Sequence, residues 1–483
     1  MNRSIRAVTI FAALLVVTLI ANLTYIHAFQ HEKFAENPRN ARQYLKSKSQ
    51  ERGQITAGGQ VLANSKADED GYYHRYYPTN PAQYGSVIGY FSDRFGASGL
   101  EASQNSILTG EDDSLFARRT WDTLTGKEFK GANVDLTLLP NVQKVAYEQL
   151  ASRGYSGSVV ALRPSNGEIL AMSSTPSFNP SEIVTDNPKQ AEANFSQLSS
   201  SDGSPLLNRS TQQTQPPGST FKVVTTTAAL MAGDDENTSV TGANQITLPG
   251  TNTTLENYGG ATCGAGGQVT LMEAFRRSCN TAFVDLSTRH GADAMRKAAK
   301  AYGIGENMED VGLGVQKSTL GDIPDDAALS QTSIGQRDVA LTPLQNAVIA
   351  ATVANGGKRM EPHLIKKITG SDLKTLKTTK PKKAGDAMPK KTADQLTKMM
   401  LQAELYAGGQ DSTIASKTGT AEHGEDSRNS KPHAWYIAFS TDADVAVAVL
   451  VENGGDRGQA ATGGSIAGPI GRAVINAAKQ ELK

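Results

Sequence analysis

Gln215-Pro216-Pro217-Gly218-Ser219-Thr220-Phe221-Lys222, running on through an apolar segment of Val, Thr, Ala, Leu and Met to residue 232, decides how this chain is read. A Pro-Pro-Gly turn that enters a helical run directly places Ser219 at the helix N-terminus. Unpaired backbone N–H groups and the positive end of the helix dipole favour developing negative charge there. Lys222 follows three residues later, on the same face and one turn along. A poorly solvated lysine near other cations gives up its proton readily, so it can take one from the serine. Ser219 and Lys222 therefore read as an activatable nucleophile and its base.

An S-x-x-K string alone is weak, because Ser371-Asp372-Leu373-Lys374 has the same form. That second copy runs into a lysine-rich stretch with prolines and no helix. The first copy gains weight from two further strings in order, Ser278-Cys279-Asn280 and Lys417-Thr418-Gly419-Thr420. S-x-N recurs, as at Ser103-Gln104-Asn105 and Ser427-Arg428-Asn429, but K-T-G occurs once. Ser278 lies between a helical run over 270–277 and an apolar run over 281–286, in a tight connection that can point side chains into a cleft. It can relay a proton between Lys222 and a leaving amine, with Asn280 holding the substrate amide. Lys417-Thr418-Gly419-Thr420 precedes two strand-like runs, 435–440 and 445–451, and reads as a neighbouring strand at the cleft edge. Thr418 and Thr420 can bind a terminal carboxylate in the positive field of Lys417. The backbone N–H groups of Ser219 and Thr420 would form an oxyanion hole. Together the strings equip the chain for serine acyl transfer on a peptide that ends in a free carboxylate.

The ordered triple resembles the signature of penicillin-binding proteins and serine β-lactamases, which share one acyl-transferase fold. Gly157-Ser158-Val159-Val160-Ala161-Leu162-Arg163-Pro164 with Gly167-Glu168-Ile169-Leu170-Ala171-Met172 is similar to the first hairpin of the class B transpeptidase domain. Asn208-Arg209, Ser333-Ile334-Gly335-Gln336 and Leu341-Thr342-Pro343-Leu344-Gln345 match that domain as well. Upstream, Arg52-Gly53-Gln54-Ile55, residues 85–90 and Gly99-Leu100-Glu101 resemble the family's pedestal. The short overall form is most similar to the actinobacterial kind called penicillin-binding protein A. The resemblance implies an α+β transpeptidase domain, an antiparallel sheet flanked by helices, on an elongated N-terminal pedestal. It implies a peptidoglycan D,D-transpeptidase that cross-links stem peptides through a Ser219 acyl-enzyme and is trapped by penicillin and other β-lactams. The expected division is a cytoplasmic tail at 1–6, a membrane anchor at 7–28, pedestal and linker helix at 29–150, and transpeptidase domain at 151–483. A membrane-embedded glycan polymerase and other wall-synthesis proteins are the partners it implies.

Composition fits. The 483 residues suffice for two or three domains. Acidic and basic residues balance at 48 each, which gives no sign of a nucleic-acid partner. Seven scattered His and two Cys form no metal-ligand pattern, and no cofactor is expected. The glycines of 259–267 lack a phosphate-binding pattern and read as a loop.

Behind Arg3 and Arg6, residues 7–26 are mostly apolar and long enough to span a bilayer. Ile26-His27-Ala28 is a poor cleavage site, so the segment reads as an uncleaved signal anchor. More positive charge follows it (Lys33, Arg39, Arg42, Lys46, Lys48) than precedes it, yet long translocated domains often disregard the charge rule. The resemblance places residues 29–483 outside the cytoplasm. In that compartment Cys263 and Cys279 read as a disulfide worth about 3 kcal/mol in the loop-entropy model, or as two small unpaired hydrophobes. If bonded, they pin the relay turn, and reduction is expected to impair acylation of Ser219.

Residues 34–121, with Tyr72, Tyr73, Tyr76 and Tyr77, read as pedestal, the tyrosines serving a partner or internal packing. Residues 136–150 read as the linker helix and 466–482 as a terminal helix on the sheet, with no wall-binding module expected beyond it. The lysine-rich stretch 358–398 reads as a solvated excursion before a helix at 392–405, either a plain exposed face or a contact for anionic wall polymer.

The alternatives are a D,D-carboxypeptidase, a β-lactamase, and a β-lactam sensor or wall-synthesis scaffold. Glu306, Glu309, Glu361 and Glu404 are the glutamates between the second and third strings, and none has Asn four positions on. That argues against a class A β-lactamase. A tail confined to residues 1–6 is short for inward signalling.

Overall fold

The computed structural model describes residues 3–29, 48–115, 130–422 and 430–482. Trp121, the basic residues Lys33, Arg39, Arg42 and Lys46, and the Ser427-Arg428-Asn429 string lie outside them. The chain divides into two compact units, 1–51 with 66–74 and 52–65 with 75–483.

The first unit opens with the helix Arg3–Phe29. Thr9, Thr18 and Thr24 donate their hydroxyls to the carbonyls of Ile5, Leu14 and Ile20 at 2.9, 2.8 and 2.8 Å. Those hydroxyls are thus satisfied within the helix, as an apolar surrounding requires. Among the described residues this is the one helix long and apolar enough to cross a membrane.

The second unit is built around a five-stranded antiparallel sheet. Its strands run in the order Ile414–Ala421, His433–Ser440, Ala446–Val451, Gly157–Leu162, Ile169–Thr175. Every residue of the last four is buried, which is why their sequences are continuous apolar runs rather than alternations. Both faces are covered. Val447, Val449 and Val451 pack with Val142, Leu150 and Val474 from the helices Pro140–Ala151 and Gly468–Glu481. Ala446 and Ala448 point the other way, into a core with Phe221, Leu344 and Val348. The strand carrying Lys417-Thr418-Gly419-Thr420 is an edge strand, paired on one side by His433–Ser440 in register Lys417 with Ile437 and Gly419 with Trp435.

A second sheet runs in the order Thr375–Thr378, Ile365–Thr369, Asn133–Leu136, Ile55–Ala57, Gln60–Ala67, Tyr73–Tyr76. Two expectations are corrected here. The linker helix begins at Pro140, a residue suited to the first helical position, while Asn133–Leu136 is a strand parallel to Ile55–Ala57. The lysine-rich stretch is a solvated excursion only in part. Ile365–Thr369 pairs antiparallel with Asn133–Leu136, and Ile368 is buried. The exposed Ser371-Asp372-Leu373-Lys374 string forms the turn to Thr375–Thr378.

Between the expected pedestal motifs lies a buried ion cluster. Glu101 accepts from Arg52 Nε at 2.7 Å and from Arg75 Nε at 2.6 Å. Arg52 also donates to Asn105 Oδ1 at 2.7 Å, and Arg75 to the Gly53 carbonyl at 2.7 Å. Burial raises the Glu101 pKa and the Arg75 and Arg52 charges lower it further, leaving the carboxyl below its ordinary value. The tyrosine patch splits in this unit: Tyr77 is buried and accepts from the Phe91 N–H at 2.8 Å, while Tyr76 is exposed.

Candidate active site

Gly218–Phe221 forms a 3₁₀ turn and the α-helix starts at Lys222, so Ser219 sits one turn ahead of the helix it was expected to open. The turn is held from three sides. Trp435 donates its indole N–H to the Pro216 carbonyl at 2.9 Å, Thr220 bonds the Pro217 carbonyl at 3.0 Å, and Gly218 N–H bonds the Gly335 carbonyl at 2.9 Å. Gly335 has φ +73°, and a Cβ there would lie 2.1 Å from the Gly218 oxygen. Only glycine fits that crossing. Gln215 exchanges both backbone hydrogen bonds with Leu341, just before the helix Pro343–Ala354 capped by Thr342. These are the Ser333–Gln336 and Leu341–Gln345 segments singled out in the sequence.

Ser278 closes the helix Leu271–Arg277 with φ +63°, and the helix Asn280–Ala301 starts two residues later. Lys222 Nζ donates to the Ser278 carbonyl at 2.7 Å, Asn280 Oδ1 at 2.7 Å and Ser278 Oγ at 3.3 Å. Lys417 Nζ reaches Ser278 Oγ from the opposite wall at 2.8 Å. The three strings thus meet on one hydroxyl. Among the described residues no hydrogen bond joins Ser219 Oγ to Lys222 Nζ. An ammonium can make all three Lys222 contacts, whereas the neutral amine donates two and keeps a lone pair free.

Both lysines are buried, at 0% and 1% exposure. Burial, and then the Lys417 charge, push the Lys222 pKa well below its ordinary value. Burial brings Lys417 down to about 7. Lys222 Nζ stands 5.2 Å from the Phe283 ring centroid and Lys417 Nζ 5.8 Å from that of Phe275. These phenylalanines form an apolar floor that no sequence motif marked. Behind the edge strand, buried Glu404 accepts from Ser416, from Tyr436 at 2.9 Å and from Arg472 at 2.5 Å, fixing the strand in place.

A cleft of about 1700 Å³ opens over the group, lined by Ser219, Ser278, Asn280, Lys417, Thr418 and Thr420. Gly419 packs tightly against the serine turn, with its Cβ position 2.8 Å from the Pro217 carbonyl oxygen and 3.0 Å from Thr220. Cys263 and Cys279 form a disulfide beside the relay turn. Its reduction is expected to slow acylation of Ser219, read as a lower labelling rate in reductant; an unchanged rate would leave the bond a structural staple only. The decoys stand apart: Asn105 of the second S-x-N string binds Arg52. Among the described residues no group of three or more His, Cys, Asp or Glu could hold a metal ion.

Comparison with known proteins matches residues 157–476 to the penicillin binding protein transpeptidase domain and 52–134 to the penicillin binding protein A dimerisation domain. The chain is 48% identical over 495 residues to the peptidoglycan D,D-transpeptidase PbpA of Mycolicibacterium smegmatis, covering 100% of both. It is 48% identical over 490 residues to PbpA of Mycobacterium tuberculosis, covering 99% of each. The structure superposes on penicillin-binding protein A from M. tuberculosis in its ceftriaxone acyl-enzyme complex with TM-score 0.86 and 49% identity, over 90% of this chain and 99% of that one. The penicillin G acyl-enzyme of the same protein gives TM-score 0.86 at 50% identity, over 89% and 100%.

Proposed function

The chain belongs to the penicillin-binding protein transpeptidase family, and we propose that its cleft cross-links peptidoglycan stem peptides through an acyl-enzyme on Ser219. It is a serine-type D,D-transpeptidase, open to covalent capture by β-lactams. The observation that carries the residue roles is the meeting of Lys222 and Lys417 on Ser278 Oγ, in the cleft that Ser219 also lines.

Neutral Lys222 takes the Ser219 proton as Ser219 Oγ bonds to the carbonyl carbon of the penultimate D-Ala. The N–H groups of Ser219 and Thr420 hold the oxyanion. On collapse the C–N bond to the terminal D-Ala breaks, and its nitrogen receives the proton from Lys222 through Ser278. Thr418 and Thr420 hold that residue's carboxylate, Lys417 adds positive field, and Asn280 holds the donor amide. The donor lies along the edge strand, whose free side offers backbone hydrogen bonds. An acceptor amine then attacks the ester, gives its proton back through the same relay, and frees Ser219. A β-lactam's leaving nitrogen stays tethered, which blocks the acceptor.

The helix Arg3–Phe29 serves as a single-pass anchor, with the segment from 29 onward on the outer side as pedestal to 150 and transpeptidase domain from 151. Its apolar length supports an anchor, and the cell-wall substrate of the relatives supports that side. A membrane-embedded glycan polymerase and other wall-synthesis proteins are its partners in this reading.

Acylation needs Lys222 neutral, so the rate rises as pH climbs through that lowered pKa. Carboxylate binding gains from a charged Lys417, and that gain is lost as pH rises through about 7. A bell-shaped profile is expected, with its alkaline limb flattened in Lys417→Arg, since guanidinium keeps its charge. Rates of penicillin acylation against pH decide it; an alkaline limb unmoved in that variant would reject the Lys417 role. The overall reading is tested with a pentapeptide donor and an amine acceptor, scoring D-Ala release and cross-linked product. Cross-linking supports it, whereas release with hydrolysis alone points to a carboxypeptidase.

A further inference from the structure

The helix that begins at Asn280 lacks a cap of its own. Cys279 occupies its N-cap position, is locked in the disulfide, and makes no side-chain capping bond. First-turn N–H groups of a helix need an acceptor from elsewhere. Here it comes from Asn257, which lies distant in sequence and is 7% exposed. Asn257 Oδ1 accepts from the Thr281 N–H at 3.1 Å, while the Thr281 hydroxyl donates to the Ala243 carbonyl at 2.8 Å. The Asn257 Nδ2 donates to the carbonyls of Ala243 and Ala261, both at 3.0 Å, so the amide makes three bonds and is itself rigidly held. Next to it, Asn280 Nδ2 donates to the Glu256 carbonyl at 3.0 Å. Three consecutive residues of the relay turn, 279, 280 and 281, are therefore tied to the 242–263 wall by a disulfide, a side-chain bond and a backbone bond.

We propose that Asn257 is a positioning residue of the acyl-transfer reaction: by capping Thr281 from outside the helix, it orients Asn280 and Ser278, which in turn hold Lys222 below the nucleophile. The proposal rests on the catalytic reading above. A disulfide leaves several torsions free. A hydrogen bond to the Thr281 N–H acts on the peptide plane that follows Asn280, and so on the direction of the Asn280 side chain. Among the described residues the Lys222 ammonium hydrogen-bonds to Ser278 and Asn280, so a turn that rotates takes the lysine's partners with it. The charged group facing Lys222 is Lys417 of the edge strand, and the helix Asn280–Ala301 presents Asn280 and Phe283.

The test is stopped-flow acylation of the full-length, detergent-solubilised protein by a fluorescent penicillin, resolving pre-covalent affinity from the limiting acylation rate across pH. Rates are normalised to active sites titrated at the end point, so unfolded protein does not count. Asn257→Ala is expected to lower the limiting rate roughly 10- to 100-fold, the scale for a misplaced catalytic group, with little change in affinity. Its acid limb should move to higher pH, because a loosened turn admits water to Lys222 and restores proton affinity. Asn257→Asp keeps an acceptor for the Thr281 N–H but sets its second oxygen against the Ala243 and Ala261 carbonyls, so it should recover only part of the rate. An Ala variant that only melts earlier, with rate and acid limb unchanged, would overturn the proposal. Labelling that persists in Ser219→Ala would instead fault the catalytic reading itself.

Discussion

Replacing Lys222 with Met is expected to slow acylation of Ser219 by roughly 10²- to 10⁴-fold, the usual contribution of a positioned general base. Met fills the buried site with an unbranched apolar chain, so the loss reports the amine and not a cavity. Lys222→Arg should be no better. Its guanidinium stays protonated and has no lone pair to offer, and the pocket against Phe283 and Asn280 is shaped for one nitrogen. The second-order rate constant for penicillin labelling measures both. If Lys222→Arg kept near-normal labelling, Lys222 would be an electrostatic fixture, and the base would have to be sought elsewhere.

Glu101→Ala is expected to remove about 3–5 kcal/mol of stability from the second unit, because it leaves Arg52 and Arg75 buried without their shared carboxylate. Both arginines are buried, and Arg52 also lies over the Phe91 ring at 4.2 Å. The sign with pH follows from the lowered Glu101 pKa. The folded carboxylate binds its proton less readily than the unfolded one, so its contribution is present above the unfolded value and fades as pH falls through the folded one. Denaturant unfolding of the variant measures the loss. Substituting all three residues with apolar side chains of similar volume should cost much less, since no buried charge is then left alone. Equal losses in the two variants would mean that packing, and not charge, dominates there.

The candidate site, as a meeting of three strings, was legible because its residues sit in short local motifs. Ser219 and Lys222 share one turn, the Pro-Pro-Gly entrance is unambiguous, and Lys417-Thr418-Gly419-Thr420 has no second copy. The five-stranded sheet was legible from the uninterrupted apolar runs that two covered faces demand. What the sequence hid depends on distant pairing. Ile365–Thr369 carries Lys366 and Lys367 and reads as solvated, yet it completes a sheet with Asn133–Leu136, a partner no local pattern announces. Asn133–Leu136 in turn borders a good helix start at Pro140, and the linker-helix reading absorbed its last residue. Asn257 had no signal at all: its role exists only because Cys279 cannot cap its own helix. Phe275 and Phe283 look like ordinary core residues, and only their rings beneath the two lysines show how the site is kept dry.

The central claim is that Ser219 forms the acyl-enzyme. It is tested most directly by labelling the folded protein with penicillin, digesting it and mapping the modified peptide by mass spectrometry. A long-lived adduct on Ser219, absent from Ser219→Ala, is the result expected. An adduct on another residue, an adduct that survives Ser219→Ala, or no adduct in demonstrably folded protein would contradict the account.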